Sequence, residues 1–309
     1  APTGFSRIAD SQGELAVARA AARAGITYSL STLGTRSIEE VAAVNSGAKW
    51  FQVYVWKDRG LVRELIERAH EAGFEALLIT VDVPVLGRRE RDVRFGFTLP
   101  PKLGLDTIID GIRNPGWTWD FLRGGPIIFS SAARKDVTSD AGGVDAMGLA
   151  EYVNKQFDPR LVWKDIDWLR SIWDGPIVLK GIQTVEDAVL SADVGVDGIV
   201  LSNHGGRQLD DAPPTLELVA PVADEVGHRL DVMCDGGIRR GSDIAKAIAL
   251  GAKACLVGRA YFYALGAGGE QGVDLVLKWF DEGLRRSMAL LGAKTVSEVT
   301  PEMVRWRRP

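Results

Sequence analysis

The chain has 309 residues, 46% of them hydrophobic and 25% charged, the composition of an ordinary globular protein with a large core and not of a disordered or fibrous one. A formal charge of −4 leaves no basic footprint for nucleic acid. Asp82 and Arg259 interrupt the most apolar stretches before either reaches the roughly 18 residues that cross a bilayer, the opening APTGFSRIAD lacks the features of a signal peptide, and Cys234 and Cys255 make no disulfide framework; a cytoplasmic location is expected.

In chain order, Ala1-Pro2-Thr3-Gly4 reads as the end of a first strand whose body lies upstream. Seven apolar, β-branched runs follow: ITYSLS (26–31), WFQVYV (50–55), ALLITVDV (76–83), PIVLKG (176–181), GIVLSN (198–203), DVMCDG (231–236) and ACLVGR (254–259). Each comes after a glycine, Gly25, Gly47, Gly73, Gly175, Gly195, Gly227 or Gly251, the usual left-handed stop of a helix. Segments of helical periodicity such as GELAVARAAARAG, LVRELIERAHEAG and SDIAKAIALG fill the intervals. Continuously apolar strands are covered on both faces, as in the parallel sheet of βαβ units. Polar groups at the carboxyl end of every run favour closure around one mouth over an open doubly wound sheet. The expected fold is α/β, a (β/α)8 TIM barrel forming one domain over residues 1–309, with the N-terminal segment and most of strand 1 outside the chain.

One connection is long. About 80 residues, 84–160, leave the fourth barrel strand, whereas an ordinary βα loop takes about 2 to 6. The excursion holds GWTWDFLRGGPIIF and the polar stretch RKDVTSDAGGVDAMG. It reads as a lid, a partner site or a mobile segment. Trp117, Trp119 and Phe121 beside Arg113 and Arg123 suit peripheral contact with a membrane surface or an electron acceptor, and equally a solvated lid with a small aromatic core.

Residues two apart on a strand share a face, so Gln52 pairs with Tyr54, Thr80 with Asp82, and Ser202 with His204 if the strand runs that far. With Ser31, Lys180, Asp235 and Arg259 they place a polar ring at one end of an apolar barrel, which the core tolerates only if they find partners. Of three histidines, His70 and His228 sit where exposure is the plain reading. A lone histidine is more often a satisfied structural residue, but His204 ends a buried strand and precedes Gly205, Gly206 and Arg207. The glycine-rich turns DGGIRRG and VGRA, with Arg239 and Arg259, offer backbone N–H groups and cations to a phosphate after the last two strands.

These motifs resemble a known family, the FMN-dependent 2-hydroxy acid oxidases and dehydrogenases. The likeness runs from APTG through FQVYVWKD, ITVDVPVLGRRERD, LVWKDIDWLR, VLKGI, SNHGGRQLD and CDGGIRRGSD to VGRA, essentially the whole chain, and SNHGGRQLD is highly specific. The resemblance implies an FMN cofactor with Pro2, Thr3 and Gly4 near its reactive nitrogen and Ser31, Gln52 and Thr80 on the ring. Lys180 would neutralise charge on the reduced ring. Ser202, Asp235, Gly236, Gly237, Arg239, Gly258 and Arg259 would serve the ribityl and phosphate groups. It further implies Arg207 as the carboxylate clamp, Arg89 as a second cation, Tyr54 on the substrate hydroxyl, His204 as the base and Asp82 as its charge partner. A further tyrosine that the family's N-terminal segment brings to the substrate has no counterpart here. Leu33 stands where glycolate oxidase has tryptophan and the lactate dehydrogenase flavocytochrome has leucine, which suits lactate. Gly4 stands where several oxidases have alanine, which suits slow reaction with oxygen.

The expected activity is oxidation of an L-2-hydroxy acid, L-lactate first, and glycolate, mandelate or longer acids otherwise. Electrons would pass to a quinone or cytochrome, or to oxygen, in a homo-oligomer such as a homotetramer that touches the inner face of the membrane peripherally. No metal is expected. Two readings from other classes stand beside it: a barrel aldolase forming a Schiff base at Lys180, and a non-catalytic fragment or scaffold.

Overall fold

The computed structural model describes residues 1–90, 94, 104–125, 127–128 and 155–305; the stretch RKDVTSDAGGVDAMG lies outside them. All seven apolar runs form strands: β1 (Tyr28–Ser31), β2 (Lys49–Val53), β3 (Ala76–Thr80), β4 (Ile177–Ile182), β5 (Gly198–Leu201), β6 (Asp231–Cys234) and β7 (Ala254–Cys255). Each pairs in parallel with its neighbour in sequence, in the order β1 to β7. The result is a curled, TIM-barrel-like α/β fold.

Helices α1 (Glu14–Ala24), α2 (Ile38–Val44) and α3 (Arg59–Glu71) precede β1, β2 and β3. The 84–160 excursion contributes α4 (Leu105–Arg113) and α5 (Pro115–Arg123), and α6 (Asp165–Arg170) leads into β4. Then follow α7 (Val185–Asp193), α8 (Thr215–Val226), α9 (Gly241–Ala249) and α10 (Arg259–Leu291). The last is broken at Gly268 and Gly269, whose φ/ψ are not helical. Where a strand hands over to a helix, the capping chemistry is explicit: Asp58 accepts from the Leu61 N–H, and Thr184 from the Asp187 N–H, each satisfying a donor that the helix itself leaves unpaired.

The strand period of two sorts the core into layers. Leu77, Ile79, Ile177, Leu179, Ile199 and Val232 face outward into one large cluster with the helices. The alternate residues Leu78, Val178, Val200 and Met233, with Trp50 and Leu256, fill the interior as a smaller cluster. Each fully buried aliphatic side chain adds roughly 1.5 to 3 kcal/mol. The apolar interior layer is also a floor on which the polar groups rest.

Seven strands, not eight, are present among the described residues. Across the gap between edge strands β1 and β7 runs the irregular segment 1–5. The Ala1 nitrogen donates to the Val257 carbonyl just past β7 at 2.6 Å, and the Phe5 N–H to the Leu33 carbonyl just past β1 at 3.1 Å.

The glycines before the strands divide into two kinds. Gly25, Gly73, Gly195 and Gly251 have positive φ, as a left-handed helix stop requires. Gly47, Gly175 and Gly227 do not, which corrects the expectation for those three. At Gly227 a β-carbon would lie 2.5 Å from the Ala223 carbonyl oxygen, and at Gly175 2.9 Å from the Trp173 indole nitrogen, so these two are glycine for room and not for backbone angle.

The excursion is tied down at two places. Helix α5 docks on the chain after the N-terminal segment: the Trp117 indole donates to the Ile8 carbonyl at 2.9 Å, the Ser11 hydroxyl to Asp120 at 2.6 Å, and Arg7 to the Gly124 carbonyl. On its return, Phe157 forms an antiparallel bridge with Trp56, beside the loop after β2. Among the described residues no helix is long and apolar enough to cross a membrane.

Candidate active site

On the interior face all but Leu256 of these apolar residues are followed two positions later by a polar one: Leu78 by Thr80, Val178 by Lys180, Val200 by Ser202, Met233 by Asp235, and Trp50 by Gln52. The ring at the barrel mouth is therefore the next layer of the same face. Its members pair with one another. The Ser31 hydroxyl donates to Gln52 Oε1 at 3.0 Å, and Gln52 Nε2 donates to the Thr80 hydroxyl at 3.0 Å, a buried ladder across β1, β2 and β3. Thr32, which the sequence reading passed over, donates to the Gln52 carbonyl at 2.5 Å and accepts from the Tyr54 N–H.

Lys180 and Asp235 form the charged half of the ring. Lys180 Nζ lies 3.0 Å from Asp235 Oδ2 and donates to the Ser202 hydroxyl at 2.9 Å, with both charged residues buried. Burial opposes the charge on Asp235, but the Lys180 ammonium and hydrogen bonds from Ser202 and Lys180 outweigh it and hold the carboxyl below its usual range. Asp235 Oδ1 is buried with no partner, an acceptor that an internal core does not leave idle. A Schiff-base lysine must present a free amine to its substrate, whereas Lys180 Nζ is buried and already engaged by Asp235 at 3.0 Å and Ser202 at 2.9 Å. This geometry tells against the aldolase reading.

His204 meets Asp82 as the sequence reading anticipated. Its Nδ1 lies 3.0 and 3.1 Å from the two carboxylate oxygens, and the Asp82 side chain is 2% exposed against 20% for His204. The backbone does not reach this geometry by continuing the strand. His204 has φ 55°, and Gly205 and Gly206 are left-handed too, so the chain turns just after β5 and the shared face with Ser202 is lost. The Ser202 hydroxyl instead accepts the His204 N–H at 3.1 Å. Room for Asp82 comes from Gly181, where φ is 110° and a β-carbon would stand 2.6 Å from that of Asp82. His70 and His228 are exposed, as expected.

Tyr54 packs edge-on against Phe157, ring centroids 5.2 Å apart. Burial, and then the charge of Asp82, push its phenol above the ordinary value, with Arg89 pulling the other way. At neutral pH it is a donor. Arg89 and Arg207 are half-buried, on the segments that leave β3 and β5. Gly4 and Leu33 are pressed together: a β-carbon at Gly4 would lie 2.8 Å from that of Leu33 and 2.9 Å from its carbonyl oxygen. Thr3 turns back on the chain, donating to the Ala1 carbonyl, and Pro2 lies between the two on this bridging segment.

At the far side of the mouth, Gly236 and Gly237 have φ of 87° and 81°. A β-carbon at Gly236 would crowd Asn203 and Thr215, whereas Gly237 faces open space. Gly258 caps α10 without a side-chain partner for the first N–H groups, which leaves them available to an anion. Arg239 is exposed there. Arg259 reaches back to the Gly205 carbonyl at 2.7 Å, so it also braces the turn that carries His204. Among the described residues no cluster of metal-ligating side chains occurs, and Cys234 and Cys255 are free thiols on adjacent strands.

A hydrogen-bonding ladder, a buried cation, an idle carboxylate oxygen and an anion-ready helix start thus line one mouth, the layout for a flat polar ring with a hydroxylated, phosphorylated tail. The comparisons agree. An L-lactate dehydrogenase of Caulobacter sp. (strain K31) is 42% identical over 300 residues, 97% of this chain and 78% of its own. A Mycobacterium tuberculosis relative is 49% identical over 305 residues, 98% of this chain and 71% of its own. The solved structure of the monotopic membrane protein (S)-mandelate dehydrogenase matches with a TM-score of 0.91 at 38% identity, covering 98% of this chain and 79% of that one. Mandelate oxidase with (S)-2-phenylpropionate matches at 0.77 and 39%, covering 97% and 75%. The family of FMN-dependent dehydrogenases matches residues 1–306, and the chain belongs to it, an FMN flavoenzyme and not a scaffold.

Proposed function

We propose that the protein oxidises an L-2-hydroxy acid to the 2-oxo acid, with L-lactate the best substrate and a quinone or cytochrome, more than oxygen, as the final electron acceptor. The observation that carries the proposal is the His204–Asp82 pair, 3.0 Å apart at the mouth that also holds the Lys180–Asp235 pair. The names of the 40 to 42% identical relatives support the choice of lactate, as does Leu33 in place of a bulkier ring.

The residues present fit FMN, since the idle Asp235 Oδ1 suits a ribityl hydroxyl and the open face of Gly237 leaves space for the tail. Ser31, Gln52 and Thr80 would hold the ring, and Lys180 would balance negative charge on it. Pro2, Thr3 and Gly4 would lie along its edge, with Ser202 on the ribityl chain and Gly236, Gly237, Arg239, Gly258 and Arg259 around the phosphate. Bound there, FMN would supply the acceptor for the two electrons the substrate loses. The chain's own part is to clamp the substrate carboxylate with Arg207 and Arg89, to donate to its hydroxyl oxygen from Tyr54, and to take a proton onto His204. Asp82 then stabilises the imidazolium, which a neutral partner would not.

For location and assembly we infer a cytoplasmic homotetramer whose α4–α5 face rests on the inner surface of the membrane, near the acceptor. Ile112, Trp119 and Leu122 on that face are 74, 58 and 70% exposed. A cross-linking ladder ending at four copies would support the assembly, and a monomer at all concentrations would refute it.

The decisive experiment mixes the oxidised protein anaerobically with glycolate, L-lactate, L-mandelate and longer hydroxy acids, then with oxygen. L-Lactate should bleach the flavin fastest, and oxygen should restore the colour slowly. A flavin that none of these acids bleaches would refute the proposal.

A further inference from the structure

We propose that Gln208 is a positioning residue, a latch that holds the segment leaving β3 against the turn carrying His204 and so keeps Asp82 and Arg89 aligned with His204 and Arg207. The inference rests on the roles proposed above for those four residues.

Both donors and the acceptor oxygen of the Gln208 carboxamide are used on one short stretch. Its Nε2 donates to the Asp82 carbonyl at 3.0 Å and to the Val85 carbonyl at 2.9 Å, and its Oε1 accepts from the Gly87 N–H at 3.1 Å. A primary amide is the side chain suited to this, because it offers two donors and an acceptor in one plane. The backbones also meet directly. A β-carbon at Gly87 would stand 2.3 Å from the Arg207 carbonyl oxygen and 2.7 Å from Gln208 Cα, so the approach depends on glycine there.

Nothing apolar competes for the job. Val83 is the last buried side chain of the segment, and Pro84, Val85, Leu86, Arg88 and Glu90 are all exposed. Burial cannot fix a stretch whose hydrophobic residues face outward, whereas three hydrogen bonds and a close backbone contact can. The stretch begins at Asp82, whose carboxylate holds His204 Nδ1, and ends at Arg89. The facing turn begins at His204 and contains Arg207. One amide thus ties together the two pieces of chain that carry the proposed base, its charge partner and both carboxylate cations. Loss of the latch should act twice: on substrate affinity through Arg89, and on the proton transfer through Asp82.

The test uses the FMN-loaded protein as Gln208→Met, which keeps the length of the side chain and removes the hydrogen bonds, and as Gln208→Glu, which replaces the doubly donating nitrogen by an oxygen facing two carbonyls. Oxalate, a dicarboxylate that lacks the transferable hydrogen, is titrated by the change it makes in the flavin spectrum. Trypsin cleavage after Arg88 and Arg89 is followed in the same samples. Expected for Gln208→Met are an unchanged flavin content and melting temperature, oxalate binding and lactate KM each weakened about tenfold, a several-fold lower maximal rate of flavin reduction, and tryptic cuts at Arg88 and Arg89 that come several-fold faster. Gln208→Glu should be worse in each respect. Unchanged trypsin sensitivity would overturn the latch. Faster cleavage with oxalate affinity and KM unchanged would overturn its coupling to the site. If the wild-type flavin is neither bleached by hydroxy acids nor perturbed by oxalate, the proposed function fails, and trypsin still decides the latch.

Discussion

At the residue scale, His204 and Lys180 are both polar groups near the end of a strand, and their partners separate them. Lys180 is enclosed, with Asp235 at 3.0 Å and Ser202 at 2.9 Å. His204 keeps one ring nitrogen on Asp82 and a fifth of its side chain open, which is what a group that exchanges protons with a substrate needs. His204→Gln should therefore retain FMN, with its normal visible spectrum, while the rate of flavin reduction falls roughly 10² to 10⁴-fold; a variant reduced at the wild-type rate would remove His204 from the role of base. Asp235 gives the pH dependence. Its carboxyl lies below the usual range because Lys180 and Ser202 overcome the burial penalty, so the stability it contributes is complete above the unfolded value of about 3.9 and is lost as pH falls through the lower folded value. Asp235→Asn should flatten that acid limb in melting curves. At neutral pH it should cost about 3 to 5 kcal/mol, because it removes one partner of a buried ion pair. Both residues stood out in the sequence as polar ends of apolar runs. Gln208 and Thr32 did not, since their importance lies in which backbone groups they bridge, and those distances depend on how two loops approach each other.

At the scale of elements, the strands were legible because burial on both faces demands uninterrupted aliphatic runs, and all seven formed where the runs lie. Side-chain direction was legible only as far as the strand lasted. The period of two places Gln52, Thr80, Lys180 and Asp235 correctly on the interior face, but fails at His204, where φ turns to 55°. Helices α4 and α5 were hidden inside a segment that reads as one long loop, because neither has a core to face: Ile108, Ile112, Trp119 and Leu122 are all exposed. Arg123 lies 4.4 Å from the Trp119 ring centroid, and an arginine with an exposed tryptophan is the pairing found at the water–lipid boundary. Sedimentation with anionic phospholipid vesicles should carry the protein down at low salt. Trp119→Ser combined with Ile112→Ser should leave it in the supernatant with lactate-dependent bleaching intact. Equal sedimentation of the double variant would show that this face is not the one that meets lipid.

At the scale of the whole molecule, the proposed FMN site draws on every strand end from β1 to β6 and on the helix start after β7, and it spans the gap that the irregular segment 1–5 bridges with two backbone hydrogen bonds. A ligand in this position ties the two edges of the curled sheet together, so it should stabilise the molecule as a unit and not one loop. At a hundredfold excess over its dissociation constant, a ligand bound only by the folded state adds about 2.7 kcal/mol. With about 2 °C per kcal/mol at the upper end of domain sizes, the melting temperature of the FMN-free protein should lie roughly 5 °C below that of the FMN-loaded form. Riboflavin separates the contributions of ring and phosphate. It has the ring for Ser31, Gln52 and Thr80 and the ribityl chain for Asp235, but nothing for Gly237 or the open N–H groups at the start of α10. Its stabilisation at equal concentration should be clearly smaller than that of FMN. If riboflavin restores the melting temperature fully, the phosphate is not held at the ends of β6 and β7, and the glycines there serve only the turns they make.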